Sequence, residues 1–266
     1  MRKKQTLIMT ALTSAVLSLS LMLSGCGTNG GDVSGTTAPN GADSKTLTMA
    51  TNAQFPPYEY YEGDKIVGID AEIADAIAKK LDMTLKIEDV EFESVLAGVQ
   101  TGKYDIGLAG ITVTEDRQKS MDFSDSYAKG IQVVIVKEDS PITSADDLTA
   151  DGAAYVAGVQ LSTTGDIYAT DDLGADRVQQ FQTGADAVSA LVMDKVDCVI
   201  IDNEPAKSFV KANEGLKILD TAYADEDYAL CTAKGSELLP DINKAIADLK
   251  ADGTIDSIVE KYIPAE

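Results

Sequence analysis

From Thr46 onward, short β-rich runs alternate with segments whose apolar residues return every three or four positions. Thr46–Thr51 is strand-like. Between Asp70 and Leu81, the residues Ile73, Ile77 and Leu81 fall at i, i+4 and i+8, the stripe of a half-buried helix. A strand near Leu85–Ile87, a helix over Glu93–Thr101 and a strand over Tyr104–Ala109 follow. Such alternation is the mark of βαβ units around a largely parallel sheet. Residues 46–266 suffice for one large or two modest α/β domains.

An internal echo favours two. Val95–Gly110 reads VLAGVQTGKYDIGLAG and Val188–Asp202 reads VSALVMDKVDCVIID. Each is an apolar helix, a turn, a Lys-x-Asp unit (Lys103-Tyr-Asp105, Lys195-Val-Asp197) and a buried strand; coincidence between two ordinary corners is the alternative. In α/β sheets, ligands gather at the carboxyl ends of strands. The first echoed strand runs into Ala109-Gly-Ile-Thr-Val-Thr-Glu-Asp-Arg117 and the second ends at Asp202-Asn203. Thr114 is placed to N-cap an acidic helix start. Arg117 sits three residues into that start, where a guanidinium fork suits a carboxylate, although a bridge to Glu115 or Asp122 fits the spacing equally. Arg177 reads as a surface residue before a strand. Asp202 is an anion opposite Arg117, or the cap of a helix over Glu204–Asn213. A cation and an anion on opposed halves are what a zwitterion requires: its carboxylate on Arg117, its ammonium on Asp202.

Composition removes whole classes. There are 44 acidic against 22 basic residues, a formal charge of −22, and no basic stripe with which to grip nucleic acid. With no histidine, there is no Ser-His-Asp or Cys-His activation, no imidazole metal site and no histidine pH switch. At 44% hydrophobic the chain is globular rather than a disordered acidic one. No cofactor and no metal are expected.

The amino end reads as an address. Arg2, Lys3 and Lys4 precede an apolar run from Leu7 to Leu23, then Ser24-Gly25-Cys26. The arrangement resembles the bacterial lipobox, which implies a signal over 1–25 and lipidation of Cys26; the run is marginal for a membrane span. Residues 26–45, rich in Gly, Ser, Thr and Asn, then form a flexible tether. Cys198 and Cys231 lie in apolar strand-like runs and read as buried free thiols, with a disulfide as the alternative.

Phe55-Pro-Pro-Tyr-Glu59, Val67-Gly-Ile-Asp70 with Glu72, and Leu108-Ala-Gly-Ile-Thr-Val-Thr-Glu-Asp-Arg117 appear in order. Met121-Asp-Phe-Ser-Asp-Ser-Tyr127, Gly158-Val-Gln-Leu-Ser-Thr-Thr-Gly165 and Ile201-Asp202 follow. Together they resemble the bacterial extracellular solute-binding proteins of the amino-acid type, family 3, over essentially all of 46–266. Ala71 departs from the pattern, where relatives more often carry a larger aliphatic. The resemblance implies an α/β, two-lobed type II periplasmic-binding fold with a cleft between lobes joined by two hinge strands. Lobe 1 would be 46–128 plus 228–266 and lobe 2 131–224, with Ile131–Val136 and the Asp227-Tyr228 region as hinges. It implies Arg117 as carboxylate clamp, with Ala109, Gly110 and Thr112 alongside, and Asp202 as ammonium partner. Phe55 and Phe92 would be aromatic walls, and Ser162, Thr163 and Thr164 would close over the carboxylate from a helix start.

The implied task is capture of a free α-amino acid by lobe closure and delivery to an ABC permease. The protein would be a monomer, lipid-anchored outside the cell membrane. Asn52 stands where basic-amino-acid binders often carry an acid, and Gln160 and Ile201 complete the far end. An uncharged polar ligand is therefore expected, with a basic one as the alternative. Glu59, Asp70 and Glu72 keep an enzyme on the same scaffold in view, as does an amino-acid sensor that docks a receptor.

Overall fold

The computed structural model describes residues 45–264. The signal assigned to 1–25 and the tether assigned to 26–45, Cys26 included, lie outside the described residues except for Lys45, which begins the first strand.

In chain order the strands are β1 (Lys45–Thr51), β2 (Gln54–Phe55), β3 (Glu59–Glu62), β4 (Lys65–Val67), β5 (Met83–Asp89), β6 (Ile106–Gly107) and β7 (Met121–Phe123). Then come β8 (Ala128–Lys137), β9 (Ala157–Gln160), β10 (Val178–Phe181), β11 (Cys198–Asp202), β12 (Leu216–Ile218), β13 (Ala224–Tyr228) and β14 (Cys231–Ala233). The helices are α1 (Ile69–Lys80), α2 (Phe92–Gln100), α3 (Glu115–Ser120), α4 (Thr164–Leu173), α5 (Gly184–Val192), α6 (Asn203–Ala212), α7 (Leu239–Ala251) and α8 (Thr254–Tyr262).

One five-stranded sheet runs β5-β1-β6-β14-β7 and one six-stranded sheet runs β10-β9-β11-β8-β12, with β13 on the free length of β8. In each, three strands are parallel (β5-β1-β6; β10-β9-β11) and the neighbouring strands are antiparallel. Both sheets are thus mixed rather than largely parallel. The strands that break the pattern are those by which the chain leaves one sheet for the other, between β7 and β8 and again between β13 and β14. A three-stranded ribbon, β2-β3-β4, is separate.

The expected stripes are the observed cores. Ile69, Ile73 and Ile77 of α1 are fully buried with α7 and α8 against Leu47 and Met49 of β1. Acids fill the first turn of α1 and lysines its last, as the helix dipole favours. Val95 and Val99 of α2 cover the other face with Ile111 and Met121. Val133–Val136 of β8 is buried throughout, as a central strand should be. The short strand β6 replaces the longer Tyr104–Ala109, because Asp105 turns the chain into the sheet and Leu108–Gly110 turns it out.

The two Lys-x-Asp units do one job. The Asp105 N–H donates to Thr48 O (3.0 Å) and its carboxylate takes the Thr48 N–H (2.7 Å). The Asp197 N–H donates to Val156 O (2.8 Å) and its carboxylate takes the Val156 N–H (2.7 Å). Each clips the entering strand to the parallel strand beside it, so the echo is structural.

Cys198 and Cys231 are buried free thiols, one in each sheet. Arg177 is not a bare surface residue: its guanidinium donates to the carbonyls of Leu173, Leu148 and Ala153 at 3.0–3.1 Å and ties the end of α4 to the segment around Leu148 and Ala153. Among the described residues, no helix is long and apolar enough to cross a membrane, and no cluster of metal-binding side chains forms.

Candidate ligand cleft

Both sheets present their carboxyl ends to one cavity. It is lined by Asn52, Phe55, Glu59, Phe92, Ala109, Gly110, Thr112, Arg117, Gln132, Gln160, Thr163, Thr164, Ile200, Ile201 and Asp202. Every site residue expected from sequence among the described residues is there except Ser162. That residue contributes its backbone instead, at φ 66°, with its carbonyl accepting from Arg117 Nη2 at 3.1 Å.

Arg117 is held by the turn before it. Thr114 caps α3, its Oγ1 accepting the Arg117 N–H at 3.2 Å. Arg117 Nη1 donates to Thr112 O at 2.8 Å, and the guanidinium lies 5.6 Å from the centre of the Phe92 ring. The carboxylates considered as its partners are otherwise engaged or outside: Asp122 pairs with Lys234 at 2.6 Å and Glu115 is exposed. Arg117 itself is only 8% exposed, and burial lowers its pKa. A buried guanidinium bonded to two carbonyls keeps an unsatisfied charge, which attracts an anion.

The turn carrying Gly110 and Thr112 is positioned by Asp70, whose Oδ2 accepts the Gly110 N–H at 2.9 Å. Gly110 has φ +54°, and a Cβ there would stand 2.9 Å from the Phe55 ring, so this position requires glycine. Asp70 and Glu59 are both buried side by side. Burial pushes Asp70 up to about 6, against the Gly110 N–H, Tyr127 and Glu59, and burial beside Asp70 pushes Glu59 well up. Of the acids that kept an enzyme in view, Glu59 reaches the cavity. Asp70 supports the turn, and Glu72 forms an outer ion pair with Lys261.

The sign of this shift sets a pH dependence. Folded Asp70 keeps its proton to about pH 6 while the unfolded chain loses it near 3.8, so this group's contribution to stability falls as pH rises between those values. The loss is about 3 kcal/mol and is complete above the window. Asp70→Asn keeps an acceptor for Gly110 and is expected to gain on the wild type by that order between pH 4 and 8, measured by denaturant unfolding. A difference independent of pH would refute this.

From the second sheet come Gln160, the start of α4, and Asp202. Thr163 N-caps α4, its Oγ1 accepting the Asp166 N–H at 3.3 Å, and Asp166 Oδ2 accepts the Ser162 N–H at 2.9 Å. Gln160 Nε2 donates to Asn52 Oδ1 at 3.0 Å and Gln182 O at 3.1 Å, a bond across the cleft. Thr112 and Thr164 hydroxyls meet at 3.4 Å. Asp202 occupies the N-cap position of α6, but its side chain makes no cap bond; it points to the cleft. Burial and the neighbouring Glu226 push its carboxyl well above the usual carboxylate range.

Gln132, Ile200 and Glu59 also line the cavity, and Glu226 stands directly behind it, bonded to Thr112 Oγ1 and Gln132 Nε2 at 3.0 Å each. Strand alternation was the one available signal for Glu226, since it shares a face of β13 with buried Tyr228.

The profile of the bacterial extracellular solute-binding proteins, family 3, matches residues 47–265. The chain belongs to this family. It is 32% identical over 257 residues to the arginine-binding extracellular protein ArtP of Bacillus subtilis, covering 93% of this chain and 95% of that protein. Among solved structures it is similar to the arginine-, lysine-, histidine-binding protein ArtJ of Geobacillus stearothermophilus (TM-score 0.78, 32% identity, 84% of this chain and 96% of that one). It is also similar to an ancestral arginine-binding protein solved with glutamine (TM-score 0.77, 36% identity, 83% and 98% covered). The fold is therefore the two-lobed α/β type of this family.

Proposed function

We propose that this family member is the substrate-binding component of an amino-acid ABC importer, capturing a free α-amino acid between its lobes and handing it to a membrane permease. The observation that carries the reading is a buried Arg117 from one sheet and a buried Asp202 from the other facing a single cleft. Carboxylate on Arg117, helped by Thr112 and the start of α4, and ammonium on Asp202 satisfy both ends of a zwitterion at once. Ligand bridging the lobes stabilises the closed form by its differential affinity. The proposed lobes are 46–128 plus 228–266 and 131–224, with the β8 and β13 crossings as hinges. The proposed anchor is lipidated Cys26 on a 26–45 tether after a 1–25 signal, holding a monomer on the outer side of the membrane. A single chain supplies both walls of the cleft, which favours the monomer. The relatives, named as binding proteins, favour capture over an enzyme on the same scaffold.

For the ligand's side chain, Asn52 and Gln160 supply amides and Phe55, Phe92 and Ile201 apolar walls, which favours an uncharged polar amino acid. The names of the relatives favour the basic alternative. A thermal-shift screen of the twenty amino acids tests both. At ligand a thousandfold above Kd the fold gains about 4 kcal/mol, roughly 10 °C in Tm for a chain this size. Glutamine, asparagine or serine should lead. A lead by arginine, lysine or histidine selects the basic reading, and no shift with any of the twenty overturns the amino-acid reading.

A further inference from the structure

The cleft wall opposite Arg117 holds acceptors without donors. Asp202 Oδ1, Glu226 Oε1 and Gln132 Oε1 are all buried, and none has a hydrogen-bond partner among the described residues. Their residues are 8%, 5% and 1% exposed. Strand register places them together: Gln132 of β8 is paired with Asp202 of β11 on one side, while Glu226 of β13 is paired with Gly130, two residues along β8, on the other. The two carboxyl groups are close enough for the charge of Glu226 to act on Asp202. The second oxygen of Glu226 is already engaged by Thr112 and Gln132, which leaves its first without a donor among the described residues.

Burial, with Glu226 close by, disfavours the charged form of Asp202, so in the ligand-free form Asp202 keeps its proton. The groups facing the pair do not change this. Arg117 is a cation on the far wall, and Lys129, which shares a small pocket with Asp202, is paired with Asp227; Tyr168 of α4, Tyr58 and Glu59 near the ribbon, Asp70 of α1 and Glu204 of α6 are neutral or acidic. An ammonium group brings three N–H donors, matching three orphan acceptors.

Resting on the amino-acid reading above, we propose that Asp202, Glu226 and Gln132 form one ammonium subsite, and that the incoming ammonium displaces the proton held by Asp202. The O–H bond of the Asp202 carboxyl breaks, its proton passes to solvent, and the carboxylate left behind accepts from the ammonium. Binding is then linked to pH. Below the apparent pKa of Asp202 in the free protein, affinity rises about tenfold per pH unit, and it levels off once Asp202 is ionised without ligand.

The test is isothermal titration of the full chain with L-glutamine and with L-arginine at about pH 6, each in phosphate and in imidazole, whose ionisation enthalpies differ. The expected result is release of close to one proton per ligand bound. Asp202→Asn should abolish that release and weaken binding more than a hundredfold. Glu226→Gln should move the pH profile of affinity to lower pH and weaken binding about tenfold at high pH. Wild-type binding with identical heats in the two buffers overturns the inference alone, as does a released proton that persists in Asp202→Asn or a Glu226→Gln profile unchanged from wild type. Failure of these and every other amino acid to bind overturns the amino-acid reading and the subsite with it.

Discussion

Replacing Arg117 with alanine is expected to leave a folded protein whose amino-acid affinity has fallen by two to three orders of magnitude. The guanidinium is buried, stacked near Phe92 and already bonded to Thr112 O and Ser162 O, so its position is fixed before any ligand arrives. Ligand capture thus requires little ordering of this side chain, and the charge-assisted fork is preorganised. Removing it strands the ligand carboxylate without a counter-charge in a desolvated cleft, a loss of about 3–5 kcal/mol. Arg117→Lys should recover part of the loss, because an ammonium restores the charge but not the planar pair of donors. The bond to Ser162 O also crosses between the two halves, so the alanine variant should favour the open form in the absence of ligand. Calorimetric titration with the best amino acid of the thermal screen reads the effect. An unchanged titration removes Arg117 from the clamp.

The second large effect is structural. Gly130→Ala should destabilise the fold by about 3 kcal/mol, the upper end of the range for overpacking, lowering Tm by roughly 6–12 °C. A Cβ at Gly130 would lie 2.4 Å from Cζ and Oη of Tyr228. That ring is fully buried and has nowhere to retreat: it meets Tyr58 edge-on, centroids 5.2 Å apart at 79°, with Gly110 nearby on another side. Gly130 and Tyr228 belong to β8 and β13, the proposed hinge, where the strands must stay close for Glu226 to reach Asp202 and Gln132. Ligand affinity should therefore fall together with Tm. The double variant with Tyr228→Leu should recover more than half of the stability, and the interaction energy of that cycle measures the clash. A melting curve indistinguishable from wild type would show that the two strands part without penalty.

Much of the cleft was legible in the sequence because its residues sit where chain direction changes. Arg117 was conspicuous as a scarce cation in an acidic helix start, and Asp202 as the acid ending an apolar run. The β-rich and amphipathic periods of β1, α1, β5 and α2 survived because each buries one consistent face. Gln132 and Glu226 were hidden for opposite reasons. Gln132 interrupts an apolar run whose other members are core, so it reads as a tolerated polar residue. Glu226 stands between Asp225 and Asp227, and composition cannot say which of three acids turns inward. Alternation with Tyr228 puts Glu226 on one face, but which face turns inward is decided by pairing with β8, and pairing is long-range. Arg177 was misjudged on the same ground, since two of its three carbonyl partners, Leu148 and Ala153, lie far back in the sequence and are brought to it by the fold. Ser162, expected with Thr163 and Thr164 at the helix start, meets Arg117 through its backbone carbonyl.

The two buried cysteines have a use that transport would never reveal. Burial pushes both thiols up to about 12, so neither is a nucleophile while its surroundings are intact. Cys198 lies in β11 and Cys231 in β14, in different sheets. A thiol reagent can reach each only when its own half loosens, so the order in which the two become labelled is a native record of which lobe opens first.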